Sequence, residues 1–466
     1  MPTAELESMA LVLQAPDQGV EKAQILRHIS SGRASVSLTS MFSSQQGSWP
    51  FEPFVHNGLF RVIASYQTHH PQVVLLRGGS IDLAQLYKAL GNEQVMSRHK
   101  DGYLLSYPLQ IAPDAALNID NSTLYLRQQS GTALINQGEL NLQQATLTSW
   151  SGSEGAEPAP GFRPFVIAWA GSRTRIVDSR LNRLGYNAHL AHGLTLARGA
   201  QQAPGLAPAS LLLRGSRIGE LSSGVELHNA MARIEDNRFE NLQQYAVDLE
   251  DTRVSLIGNH VRKVKNQSAI RLRGSSQGVL ERNVILDAGK AGIEVREQQG
   301  DLVVRQNIIG TSQSSGILLR QITALPGARL LLLDNHIANT QGSGIDGEAV
   351  ELAHLMGNRI GATPEYAIRF RNPADRPSRL IMMGNQMAQT GKAMIRTEGI
   401  ERVVLGNNRY QMAQVNQPLL AGDLMPVQSL LMEATLQRPC VVEVLIGIQA
   451  DTNPADGLPA NCRDGS

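Results

Sequence analysis

Residues 233–273 read RIEDNRFENLQQYAVDLEDTRVSLIGNHVRKVKNQSAIRLR. Inside this stretch Asp236-Asn237 is answered by Gly258-Asn259, and Ala246-Val247 by Ala269-Ile270. Between these marks aliphatic and polar residues alternate, the period of a strand whose successive side chains point to opposite faces. The repeat continues outward. A small residue followed by an aliphatic one recurs at Gly193, Gly224, Ala246, Ala269, Gly292, Gly316, Gly344, Ala367 and Ala393. Asparagine recurs in step at Asn237, Asn259, Asn283, Asn307, Asn335, Asn358, Asn385 and Asn408, with spacings of 22, 24, 24, 28, 23, 27 and 23. Such a unit is too short for two packed helices and fits one coil of three short strands. Asparagines at one turn of every coil can stack, each amide bonding the next, and the small residues suit a tight corner. The expected fold is all-β, a right-handed parallel β-helix. Leucine-rich repeats have a similar period, but their leucine consensus is missing.

Before residue 193 the coils are less regular. LNIDNSTLYL, LINQGELNLQQATLTSW and FVIAWAGSRTRIVDSRL still alternate, and SGSEGAEPAPGFRP (151–164) and RGAQQAPGLAPAS (198–210) read as loops. Residues 1–105 form a small mixed α/β cap in this reading. PQVVLLRGG is a buried strand there, and SIDLAQLYKALGN a helix with Ser80 as cap and Gly91 as stop. The solenoid then spans 106–410. Residues 411–466 form a C-terminal cap and tail, with PVQSLLMEATLQ as a closing helix. Both caps answer the need to cover open strand edges.

Composition narrows the function. With 42% hydrophobic and 18% charged residues the chain resembles an ordinary folded protein. A net charge of +1 provides no bulk field for nucleic acid. No stretch approaches the roughly 20 apolar residues of a transmembrane helix, and MPTAELESMA lacks the basic and apolar runs of a signal peptide. No phosphate-binding or dinucleotide fingerprint occurs, and no cofactor is expected. The THH run (68–70) has no spaced partner for a metal. Cys440 and Cys462 are two free thiols or a disulfide closing the tail.

One strand per coil bears charge. Two places after each small residue stand Glu226, Asp248, Arg271, Glu294, Leu318, Asp346 and Arg369; four places after stand His228, Glu250, Arg273, Arg296, Arg320, Glu348 and Arg371. These share one face, while Val247, Leu249, Ile270 and Leu272 fill the core between them. Coils stack about 4.8 Å apart, so Arg273, Arg296 and Arg320 would repel unless anions lie among them. Two readings follow: a solvated face whose charges pair across coils, or a groove for an acidic polymer whose carboxylates meet arginine forks.

The stretch GFRPFVIAWAGSRTRIVDSRLNRLGYNAHLAHGLTL (161–196) resembles the FRPF, W-x-G-S and LGY elements of the periplasmic mannuronan C5-epimerases of bacterial alginate secretion, and weaker similarity runs from about residue 70 through the coils. The resemblance implies a periplasmic β-helix, an acidic polysaccharide as ligand, and proteins of an exopolysaccharide secretion complex as partners. It also implies a catalytic Asp-Pro-His motif, matched here by YAVDLEDTR (245–253). Asp248 keeps the aspartate, Leu249 replaces the proline and Glu250 the catalytic histidine. Arg273, with Arg271 as second candidate, falls near the family's carboxylate-neutralising arginine. Tyr186, His189 and His192 lie on the LGY stretch as candidates to line the groove, beside His228, Glu226, Arg296 and Arg320.

Epimerisation requires neutralising the uronate carboxylate, removing the C5 proton and returning one on the other face. A glutamate serves as base only with a raised pKa. Several functions stay open: binding or guiding the polymer without the histidine chemistry, an active epimerase with Glu250 as base, or a hydrolase or lyase built on Asp248 and Glu250.

Overall fold

The asparagines stack. In the computed structural model, which describes residues 32–42, 49–67, 70–152, 161–323, 329–373, 377–412, 417–431 and 441–446, every ladder asparagine from Asn237 to Asn385 is fully buried. Asn307 shows the pattern. Its Nδ2 donates to Leu280 O and Asn335 Oδ1 at 2.9 and 3.0 Å, and its Oδ1 accepts from Asn283 N and Nδ2 at 3.0 and 2.9 Å. The residue before each ladder position turns the chain through the left-handed region, as at Asp236 (φ 52°) and Gln306 (φ 55°). Serines carry the ladder into earlier coils. Ala145 N donates to Ser179 Oγ, Ser179 N to Ser216 Oγ, and Ser216 N to Asn237 Oδ1.

The chain divides into two compact units, residues 1–265 and 266–466. Each is built of coils of three short parallel strands, and the fold is a right-handed parallel β-helix. In the first unit Gln72–Arg77, Gly79–Asp82 and Gly102–Leu105 pair in parallel with Leu109–Ile111, Ala115–Asp120 and Thr123–Arg127. Parallel stacking thus begins at Gln72, ahead of the start expected near residue 105. The helix Leu83–Leu90, inserted into that coil, interrupts the period there. Its cap is Asp82, not Ser80. Asp82 Oδ1 accepts from Gln85 N at 2.7 Å and Gln85 returns the bond, while Ser80 lies in the preceding strand. Gly91 ends the helix at φ 56°. Ser35–Ser40 pairs antiparallel with Gln72–Arg77 and covers that edge.

In the second unit the coils run from Ile270–Arg273 to Leu420–Gly422, which pairs in parallel with Ile395–Glu398 past the expected end at residue 410. Val441–Leu445 lies antiparallel on Arg402–Gly406. Residues 428–431 of the expected closing helix are helical and follow a 3-10 turn at Met425–Val427; residues 432–437 of it, like Cys440 and Cys462, lie outside the described residues. Close packing accounts for glycines of the repeat: a Cβ at Gly316 would stand 2.2 Å from Ile337 Cγ2 of the next coil.

Candidate functional site

The charged columns are in register within each unit. In the first, Glu226 aligns with Asp248 and His228 with Glu250, while Val225, Leu227, Val247 and Leu249 fill the coil interior. Two histidine–carboxylate pairs form here. His228 Nδ1 lies 2.9 Å from Glu250 Oε2. His192 Nδ1 lies 2.9 and 3.0 Å from the two oxygens of Glu226. An ionised carboxylate only accepts, so each Nδ1 directs a hydrogen at its carboxylate and Nε2 points away from it; His192 Nε2 lies 3.4 Å from Asn187 Oδ1. Glu226 and Asp248 are buried although they point outward; His228 and Glu250 are partly exposed. His189, placed with this group by the sequence, is exposed on the turn between Tyr186 and His192.

That turn belongs to a second hydrophobic core on the outside of the strands. Val73, Ile135, Ile167, Trp169 and Ala197 occupy outward positions, and Trp49, Phe51, Phe54, Leu59 and Ile63 cover them. Trp49 and Phe54 pack on Trp169 with ring centroids 5.0 and 6.1 Å apart. The FRPF and LGY elements hold this core together. Phe162 and Phe165 join it, Arg163 donates to Glu220 O at 2.9 Å, and Gly185 N donates to Pro164 O at 2.7 Å. Tyr186 gives its hydroxyl to Asn57 O at 2.7 Å, and burial pushes its pKa well above the ordinary tyrosine value. Tyr186 is therefore a fastening of the N-terminal segment, and His192 is the residue its turn delivers to the charged face. Apolar Ile135, Ile167 and Trp169, at positions that carry charge in later coils, were the sequence's signal for this cover.

In the second unit Arg271, Glu294, Leu318, Asp346, Arg369 and Arg396 form one column, and Arg273, Arg296, Arg320, Glu348, Arg371 and Glu398 the other. Much of this charge pairs between coils. Buried Asp346 accepts from Arg320 at 3.3 Å and from Arg369 at 2.7 and 3.0 Å. That bonding, outweighing the desolvation of Arg369, raises the guanidinium's pKa further. Glu348 lies 3.4 Å from both Arg320 and Arg371. Arg296 is looser: its side chain is 49% exposed and its partner Glu294 is 3.5 Å away. At the far side Lys392 bonds Glu365 at 2.9 Å, which, with Arg369 beside it, holds that carboxyl below its usual value. Among the described residues no cluster of histidine, cysteine, aspartate or glutamate is placed to hold a metal, and no helix is long and apolar enough to cross a membrane.

Comparison with known proteins agrees with this architecture. A family model described as "Right handed beta helix region" matches residues 207–346. The mannuronan C5-epimerase of Pseudomonas aeruginosa is 33% identical over 147 residues, 30% of this chain and 26% of that protein. The mannuronan C5-epimerase of Pseudomonas putida is 24% identical over 347 residues, 70% of this chain and 63% of that protein. The chain thus spans less than two thirds of the length of these relatives. Among solved structures, the periplasmic alginate epimerase AlgG superposes with a TM-score of 0.72 at 18% identity, covering 85% of this chain and 96% of that one, a likeness of fold. The chain is a right-handed parallel β-helix that resembles the mannuronan C5-epimerases in sequence over part of its length and the periplasmic alginate epimerase AlgG in fold.

Proposed function

We propose that this chain is a periplasmic protein that holds an acidic exopolysaccharide of the alginate class on the outward face of its small–aliphatic strands. It does so while the polymer is modified or exported, alone or beside secretion-complex proteins, and without the family's histidine at the position of Glu250. The observation that supports this most is charge. The two outward columns of the second unit carry seven arginines against four carboxylates, in line along the stacking direction. After internal pairing a cationic surplus faces outward, which suits a polymer with repeated carboxylates. Calorimetric titration with polymannuronate tests it. Binding that weakens as salt is raised is expected; no binding in dilute buffer sinks the reading.

A second reading, an active polyuronate epimerase, is favoured by one contact. Glu250 is engaged with His228, so the group suited to take a proton is His228 Nε2, with Glu250 orienting the ring. Incubation in heavy water decides: deuterium entering C5 of polymannuronate supports this reading, and its absence at high protein concentration counts against it.

A further inference from the structure

The outward face that carries the histidine–glutamate pairs does not continue along the whole first unit. Following one column from the N-terminal side, the outward residues are Ile135, Ile167, Thr195, Glu226 and Asp248. The first three are fully buried. Over Ile135 and Ile167 lie Phe51 and Phe54 and the helix Leu59–Gln67, which buries Leu59 and Ile63 against the strands. A helix adds a layer about 10 Å thick to the surface it covers. The layer is fastened rather than loosely laid. Phe54 stacks on Phe165 with centroids 5.0 Å apart, and Tyr186 bonds the backbone of Asn57. The turn that provides Tyr186 also provides His192, whose ring reaches Glu226. His192 thus stands at the foot of a wall, and the face opens only at His228 and Glu250.

We infer that this face is blind on its N-terminal side and that the subsite formed by His192, Glu226, His228 and Glu250 receives the end of a uronate chain rather than its interior. The inference rests on the polymer-binding reading above. A sugar lying against strand Val225–His228 meets covered positions ahead of it: Thr195 and Ala197 are buried, and Ile167 and Trp169 of the coil before them are roofed by aromatic side chains. A terminal sugar also carries one hydroxyl that interior sugars lack. Carboxylates held by histidines are acceptors suited to such hydroxyls, and hydrogen bonds to charged groups are the stronger kind. The buried hydroxyl of Thr195, in register with Glu226 and without a bonding partner among the described residues, marks where the polar surface is already covered.

The native protein and polymannuronate chains of defined length test this, using only chains longer than the face so that every subsite is filled. A site for chain interiors meets one register per sugar. A chain about tenfold longer would then bind about tenfold more tightly per chain. A site for chain ends meets one terminus whatever the length. The expected result is a dissociation constant per chain that stays constant within about twofold across that series. Affinity that rises in proportion to length overturns the inference while leaving polymer binding intact. Absence of binding at every length overturns the polymer reading itself, and this inference with it.

Discussion

His228 and Glu250 face one another from consecutive coils, Nδ1 to Oε2 at 2.9 Å, on the part of the first unit's outer face that solvent reaches. A half-exposed pair of this kind adds under about 1 kcal/mol to stability. Its effect on an anionic ligand is larger in proportion, because Glu250 places a negative charge where a uronate would lie. Glu250→Gln keeps the shape and removes the charge. The expected outcome is an unfolding midpoint in urea nearly unchanged, and polymannuronate affinity raised about threefold at low ionic strength. Affinity that falls instead would mean that the hydrogen bond Glu250 accepts from a sugar hydroxyl outweighs its repulsion of the uronate carboxylates.

The asparagine ladder predicts a stability effect far from any ligand. Asn307→Ala removes two donors and the oxygen that serves Asn283, and leaves Leu280 O without the amide it accepts from. Each buried polar group so stranded costs about 1–3 kcal/mol. A loss of about 3 kcal/mol or more is expected in chemical denaturation. Asn408→Ala, at the less buried end of the ladder, is expected to lose less. Equal losses at both positions would show that burial is not what gives the ladder its strength.

The ladder and the charged columns were legible in the sequence because each is set by a period of one coil. The cover over the first coils was not. Trp49 and Phe54 meet Trp169 and Phe165 across more than a hundred residues, and no repeat links them. Ser179 and Ser216 break the asparagine repeat: their hydroxyls accept from the neighbouring coil but donate within their own, to Val177 O and Arg214 O. The cap at Asp82 was placed two residues early because Ser80 is equally able to cap. The alternation of Gly79–Asp82 as a strand, and Gln85 three residues after Asp82, decide between them. In the second unit the sequence left cross-coil pairing and a polymer groove both open for the arginine block, because the buried acceptor of Arg320, Asp346, comes from the column beside it.

Glu365 gives the pH dependence a sign. Its carboxyl is held below the ordinary value of 4.5, mainly by the hydrogen bond from Lys392. A carboxylate with a lowered pKa in the folded state stabilises the fold above its unfolded pKa, and that contribution is lost as pH falls through the folded value. Lys392→Met should therefore lower the melting temperature at neutral pH. The gap to the native protein should close well below pH 4.5. A gap that persists in strong acid would assign the loss to packing of the lysine stem on the Tyr366 ring, 5.4 Å from Nζ.

Arg296 and Arg320 are neighbours in one column but differ in what they have left to offer a ligand. Arg320 is partly buried and engaged by Asp346 and Glu348. Arg296 is half-exposed, and its ion-pair partner among the described residues is Glu294 at 3.5 Å. Arg320→Ala leaves buried Asp346 to Arg369 alone, so the loss should appear in stability, about 1–2 kcal/mol. Arg296→Ala gives up an exposed pair, costing under about 1 kcal/mol, and removes a cation free to turn toward a polymer. Its loss should appear in binding, about tenfold at low salt and less as salt screens the face. Titration and urea denaturation of the two variants separate the effects. If Arg320→Ala loses the affinity and Arg296→Ala does not, the polymer contacts the paired network itself, and the exposed surplus is only a solvated edge.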